Sequence, residues 1–291
     1  MAPRWVFAKL GWHYEHYRSI TVRVSGSSST VTEGYARAHL VDTIASRIFY
    51  AAGGNSFDFE LRYDTPWRPT CIVIANHNLT SASSVHTLSL AGSTDGVTWS
   101  GDVASLTATD AWPADGTTIF TLAGHGATQY AYWRVSIADS ALTVPHIFGE
   151  VALGFSYTPV EGSKAMLPII RPQIYSRPLA GGVTAAGAML TVPIIGSAEI
   201  WPLDWDGVTI AVADELRALG LQARNGLYPI AAHSPRQTDS DDPSGSLNVD
   251  AVLDAHFFRS SPVRSTDRDA YRENVTMDLT REAPTWPIER A

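Results

Sequence analysis

The stretch Phe57-Asp58-Phe59-Glu60-Leu61-Arg62-Tyr63-Asp64 decides the fold class. Phe57, Phe59, Leu61 and Tyr63 fall on one side of an extended chain, and Asp58, Glu60, Arg62 and Asp64 on the other. A period of two marks an antiparallel strand with one face on a core and one in water. The alternation recurs where Ala131, Trp133, Val135 and Ile137 interleave with Tyr132, Arg134 and Ser136, in Val151, Leu153, Phe155 and Tyr157, and over 21–24. Cys71-Ile72-Val73-Ile74-Ala75 is instead continuously apolar and β-branched at its centre, which predicts a strand buried on both faces.

Turn chemistry punctuates these runs: Gly53-Gly54-Asn55, Asn76-His77-Asn78, Asp95-Gly96, Asp115-Gly116 and Gly124-His125-Gly126. Glycine supplies positive φ, and Asn and Asp bond to their own backbone. Short strands, regular turns and almost no helical period predict an all-β chain opening with a sandwich or jelly roll over 16–158. Residues 1–15 read as an N-terminal arm. Residues 159–190, with Pro159, Pro168, Pro172, Pro178 and Gly181-Gly182, read as a linker or extended arm.

Residues 191–291 read as a smaller β-rich domain with one short helix. Strands are expected over 191–195, 209–212, 249–258 and 275–279, and the helix over 214–221, where Leu216 and Leu219 share a face and Gly220 lies near the end. The polar, acidic stretch 237–246 reads as a solvated loop. No internal repeat of 20–50 residues is evident.

Composition narrows the function classes. The 291 residues carry 21 Lys and Arg against 29 Asp and Glu, a net charge of −8 that argues against a nucleic-acid or anionic-membrane binder. No apolar run approaches the about 18 residues of a membrane span, and Lys9 interrupts the apolar start before it can form a secretory core. Cys71 is the single cysteine, so neither an internal disulfide nor a thiolate metal cluster is expected. Lys9 and Lys164 are the only lysines; the arginine excess fits either a GC-rich genome or subunit interfaces, where the guanidinium fork pairs carboxylates.

Few patterns suggest chemistry. His13 and His16 are three apart, a helical spacing for a metal pair, but the segment runs into a strand, where such positions diverge. His77, at a strand end, reads either as a general base or as a buried turn histidine bonded to a neighbouring strand. The sequence has no Gly-x-Ser-x-Gly elbow and no phosphate-cradling glycine motif. Asp42, Asp95, Asp110 and Glu150 supply carboxylates for a glycosidase, and Asp42 or Asp95 for a calcium ion, without a spacing that commits them. Neither an enzyme, a cofactor nor a metal is expected. Trp67, Trp99, Trp112 and Tyr130 lie beside turns, where aromatic rings pack in a core, meet another subunit or stack on sugars; Trp67, Trp112 and Tyr130 are the candidate interface or glycan contacts.

Five motifs carry a family resemblance over residues 30–157: Tyr35 to Asp42, Ile72 to Leu79 with its Asn76-His77-Asn78 turn, Ser93-Thr94-Asp95-Gly96-Val97-Thr98-Trp99, Tyr132 to Val135, and Ile147 to Val151. Together they resemble the discoidin, or coagulation-factor type, jelly roll as it occurs in bacteriophage minor or distal tail proteins. The resemblance implies a discoidin-like sandwich in which Asp95-Gly96 makes a hairpin turn and Trp99 caps the core. It also implies a structural role at a tail tip or baseplate of the virion, assembled in the host cytoplasm. The partners would be copies of the chain itself, in a ring or trimer, and other phage tail proteins. The alternative is a receptor-binding module for a host surface polysaccharide.

Overall fold

The computed structural model describes residues 6–25, 37–41, 49–51, 56–79, 86–100, 104–106, 116–122, 128–139, 146–157, 173–175, 180–183, 189–192, 198–224, 228–233 and 251–281. The strands in chain order are β1 (Val6–Lys9), β2 (Tyr17–Ser25), β3 (Phe49–Ala51), β4 (Ser56–Trp67), β5 (Cys71–His77), β6 (His86–Ser93), β7 (Ala104–Leu106), β8 (Gly116–Thr121), β9 (Tyr130–Asp139) and β10 (His146–Phe148). They continue with β11 (Glu150–Tyr157), β12 (Gln173–Tyr175), β13 (Ala180–Val183), β14 (Met189–Val192), β15 (Ala198–Thr209), β16 (Ile230–His233), β17 (Ala251–Ser260), β18 (Arg264–Asp269) and β19 (Arg272–Arg281). Helices span Gly11–His16 and Ile210–Gln222.

The expected all-β sandwich is present. A five-stranded sheet in the order β2-β4-β9-β6-β7 turns Phe57, Phe59, Leu61, Leu88, Leu90, Trp133, Val135 and Ile137 inward. They meet Ile72, Ile74, Phe120, Val151 and Leu153 from β5, β8 and β11. Burying each such side chain contributes roughly 1.5–3 kcal/mol against the entropy of ordering it.

The opposite face of β5, β8 and β11 is covered as well, which explains the apolar run at Cys71. Strands β17, β16, β1, β11, β5 and β8 pair in succession, and β17 then pairs with β8, with Ala251 opposite Phe120. Six strands thus close a ring. Its lining is small, with Ala8, Cys71, Val73, Ile119, Ala152 and Ala231 buried together, as a ring narrower than an eight-stranded barrel requires.

This closure changes the reading of the N-terminus. Val6–Lys9, expected in an arm, is a strand between β11 and β16, with Phe7 opposite both Tyr157 and Ala232. One edge of this short strand takes its partner from residues 150–157 and the other from residues 230–233, so strands from the expected sandwich and the expected second domain share one sheet. Phe7 reaches the second core, where Trp205, Val208, Leu216, Leu219 and Met277 pack between β15, β19 and the longer helix.

Two local expectations are corrected. Residues 209–212 are not a strand: β15 ends at Thr209 and the helix begins at Ile210, because Val212, Ala213, Leu216 and Leu219 together give it a buried face. Residues 13–16 are helical, and the turn starting at Gly11 packs on the C-terminal end of the longer helix. A Cβ on Gly11 would lie 2.0 Å from the Gln222 carbonyl oxygen, so only glycine permits that approach. Glu15 accepts a hydrogen bond from Arg224 at 2.8 Å and Tyr14 stacks on Tyr228, fastening the same contact. The acidic stretch 237–246 and most of 159–190 lie outside the described residues.

Candidate functional site

Each expected site residue can be followed into the structure. Asn76 adopts φ 48°, the left-handed geometry read from its sequence. The reason is a bulge: β5 advances from Ile74 to His77 while β8 steps only from Thr118 to Gly116. His77 is buried, its Nε2 bonded to the Thr118 hydroxyl at 2.8 Å, and its Nδ1 accepts the Leu79 amide. Asn78 Oδ1 accepts the Ile147 amide. These side chains fix the turn, and His77 makes the buried contact to a neighbouring strand that its structural reading expects.

Trp67 is corrected outright. It is 3% exposed and packs edge-on against Tyr63 and Phe155 in the sandwich core, with no face for a ligand or subunit. Tyr130 is half-buried; its ring lies on the bare backbone of Gly92, where a Cβ would come within 2.1 Å, and meets Trp133 edge-on. Trp112, Asp42 and Asp110 lie outside the described residues. Glu150 is buried and accepts a hydrogen bond from the Tyr14 hydroxyl.

His13 and His16 diverge even on a helix. His13 is fully buried; the Tyr63 hydroxyl at 2.7 Å and the Leu153 amide donate to its Nδ1, and desolvation lowers its pKa to about 3. His16 lies at the surface on Asp64. Among the described residues no group of three or more His, Cys, Asp or Glu is placed to hold a metal ion, and no helix is long and apolar enough to cross a membrane.

Trp99 is the informative departure. Instead of capping the core, it lies half-buried under the guanidinium of Arg134, 4.6 Å from the ring centroid. The loop after β6 explains its course. Asp95 accepts the amides of Thr98 and Val97 and the Ser93 hydroxyl, which hold its carboxyl down to about 2. Gly96 turns at φ 72°, and a Cβ there would press to 2.9 Å on the Tyr132 ring. The loop therefore folds over the outer face of the five-stranded sheet and carries Trp99 with it.

That outer face holds the most distinctive polar arrangement in the described chain. On β9, Tyr132, Arg134 and Ser136 point away from the core, opposite Arg62, Glu60 and Asp58 of β4. Arg62 lies over the Tyr132 ring at 5.8 Å, a second cation held on an aromatic face. The neighbouring strand β6 contributes Thr87, Ser89 and Ala91, short residues that leave the arginines standing above it. The Tyr132, Arg134, Ser136 alternation is legible in the sequence, but its pairing with Trp99 is not, because that depends on the path of the loop.

No known protein family and no curated protein matches the sequence. Among solved structures, SpGH29 aligns with 50% of this chain at 15% identity and TM-score 0.35, and the chain spans only 29% of that protein. Two Clostridium perfringens structures also align. The CBM32-1 and CBM32-2 domains of ZmpB cover 49% of this chain and 35% of their own, at 9% identity and TM-score 0.37. CBM32-1 from a family 31 glycoside hydrolase covers 48% of this chain and 98% of its own, at 14% identity and TM-score 0.36. The tail-protein part of the resemblance rests on the sequence motifs alone.

Proposed function

We propose that this chain is a non-catalytic binding module whose β-sandwich recognises an oligosaccharide on the outer face of the five-stranded sheet. The observation that carries the reading is the pair of cation–π contacts, Arg134 over Trp99 at 4.6 Å and Arg62 over Tyr132 at 5.8 Å. A guanidinium held over an aromatic ring has less side-chain freedom left to lose, so its N–H donors can be offered to ring hydroxyls at a reduced entropic cost. Beside the two arginines, on β6, Thr87 is exposed and Ser89 half-buried, while Ala91 lies covered next to Arg134. Retention in a native gel containing polysaccharide tests the reading: the intact protein is expected to be retarded, and Trp99→Ala or Tyr132→Ala to run as in an empty gel. Equal retardation of all three proteins overturns it.

A second reading, assembly as a structural component of a bacteriophage tail, draws on different residues. Ile210, Leu221 and Tyr271 are 43%, 70% and 80% exposed, apolar area that a ring or trimer contact would cover. Sedimentation at high concentration separates the two: a defined oligomer lost on Leu221→Glu or Tyr271→Glu favours assembly, and a monomer favours the binding module.

A further inference from the structure

Among the described arginines, four are held by carboxylates. Arg18 pairs with Asp64, Arg23 with Glu60, Arg217 with Glu273 and Asp214, and Arg224 with Glu15. Arg62 and Arg134 are different. Glu60 stands opposite Arg134 in register, yet its carboxylate turns to Arg23 at 3.1 Å. Asp58 accepts the Ser136 hydroxyl, Asp64 is taken by Arg18 and His16, and Asp95 is engaged by the amides of its own loop. Every described carboxylate bordering the two arginines therefore has a partner, and neither arginine has an ion pair among the described residues. The Arg134 Nε is moreover buried with no hydrogen-bond partner among them, so the fork that this arginine can offer a ligand is made by its two terminal nitrogens.

From this we infer that the ligand of the face is an acidic oligosaccharide whose sugar carboxylates engage Arg134 and Arg62; the inference rests on the glycan-binding reading above. The fork of a guanidinium matches a carboxylate through two parallel hydrogen bonds, an arrangement a lone hydroxyl cannot reproduce. The two arginines occupy diagonal positions on adjacent strands, so their backbones stand about 7–8 Å apart. That separation lets one short stretch of an acidic chain meet both. Trp99 and Tyr132 lie beneath them and restrict where the two guanidinium groups sit.

The test is calorimetric titration of the full chain with oligogalacturonate, hyaluronate and polysialate, each beside its methyl-esterified form, and with a neutral galactan. At least one acid is expected to bind ten times or more tightly than its ester and to weaken in 0.5 M salt through screening. Arg134→Gln is expected to lose at least tenfold and Arg134→Lys less, with the thermal midpoint of each variant recorded to exclude misfolding. Arg62→Gln, on a more exposed side chain, gives an independent loss. Equal binding of acid, ester and galactan overturns the acidic specificity and leaves a neutral-glycan module. Acid binding that survives Arg62→Gln and Arg134→Gln together places the ligand elsewhere and overturns it too. Binding to none of these overturns both the specificity and the glycan reading.

Discussion

Arg134 holds its guanidinium 4.6 Å from the centre of the Trp99 ring, joining a residue of β9 to a loop that precedes it by two intervening strands. The contact depends on Asp95, whose carboxylate gathers the loop amides and turns the chain over the sheet face. Site and loop are thus one construction.

Loss of the Asp95 carboxylate should therefore be felt at the ligand rather than in the core. Asp95→Ala is expected to lower glycan affinity several-fold while the thermal midpoint stays nearly constant, because no buried apolar contact is removed. The hydrogen bonds that hold the carboxyl down to about 2 favour its charged form. Their contribution to stability is complete above the ordinary carboxylate range and is lost progressively as pH falls from there to about 2, while in the folded protein the carboxyl stays charged down to about 2. Affinity measured between pH 5 and pH 3 should accordingly show no step from this group.

His13 sets a different pH dependence. It is buried neutral, with a pKa lowered to about 3 by desolvation, whereas in the unfolded chain it protonates near about 6.5. Between those values the unfolded state binds a proton that the folded state refuses, so stability falls as pH falls from about 6.5 towards 3 and is flat above. The slope from one such group is about 1.4 kcal/mol per pH unit. Denaturant unfolding at pH 7 and pH 4.5 should show this loss, and His13→Gln should remove most of the difference. A pH-independent stability in the native protein would contradict it.

Trp67→Ala should destabilise without touching recognition. Removing a core indole that packs on Tyr63 and Phe155 is expected to cost about 3–5 kcal/mol. Chemical denaturation measures that cost, and the folded fraction should bind glycan with unchanged affinity.

Cys71 offers a probe of the closed ring. It lies buried in the lining, and desolvation pushes its thiol well above the usual range, so the reactive thiolate is scarce. Ring closure by β16 and β17 predicts that Cys71 stays inert to a thiol reagent until the whole chain unfolds, at the same denaturant concentration as the loss of tryptophan fluorescence. Labelling that precedes the fluorescence change would mean the second half opens independently.

Much of this architecture was legible in the residues. The alternation at Phe57 to Asp64 gave β4 with its faces correctly assigned, because a two-residue period has only one geometric solution. The unbroken run at Cys71 foretold a strand covered on both sides, and Asn76-His77-Asn78 foretold a left-handed turn with a buried histidine. Val6–Lys9 stayed hidden, since four residues carry too little pattern to separate a strand from an arm, and both its partners, β11 and β16, lie far along the chain. The helix start at Ile210 was missed because β-branched residues favour strands locally and only the packing of Leu216 and Leu219 overrides them. At the site, the polar alternation Tyr132, Arg134, Ser136 was visible. The position of Trp99 was not: a hairpin motif does not specify which side of the sheet its last residue covers.

The most direct test follows the side-chain resonances of the intact protein while the oligosaccharide best retained in the gel is added. The account expects the Trp99 indole N–H and the Arg134 and Arg62 Nε–H signals to shift together and to saturate at one ligand concentration. Shifts confined to the surroundings of Leu221 and Tyr271, with those three signals unmoved, would contradict it.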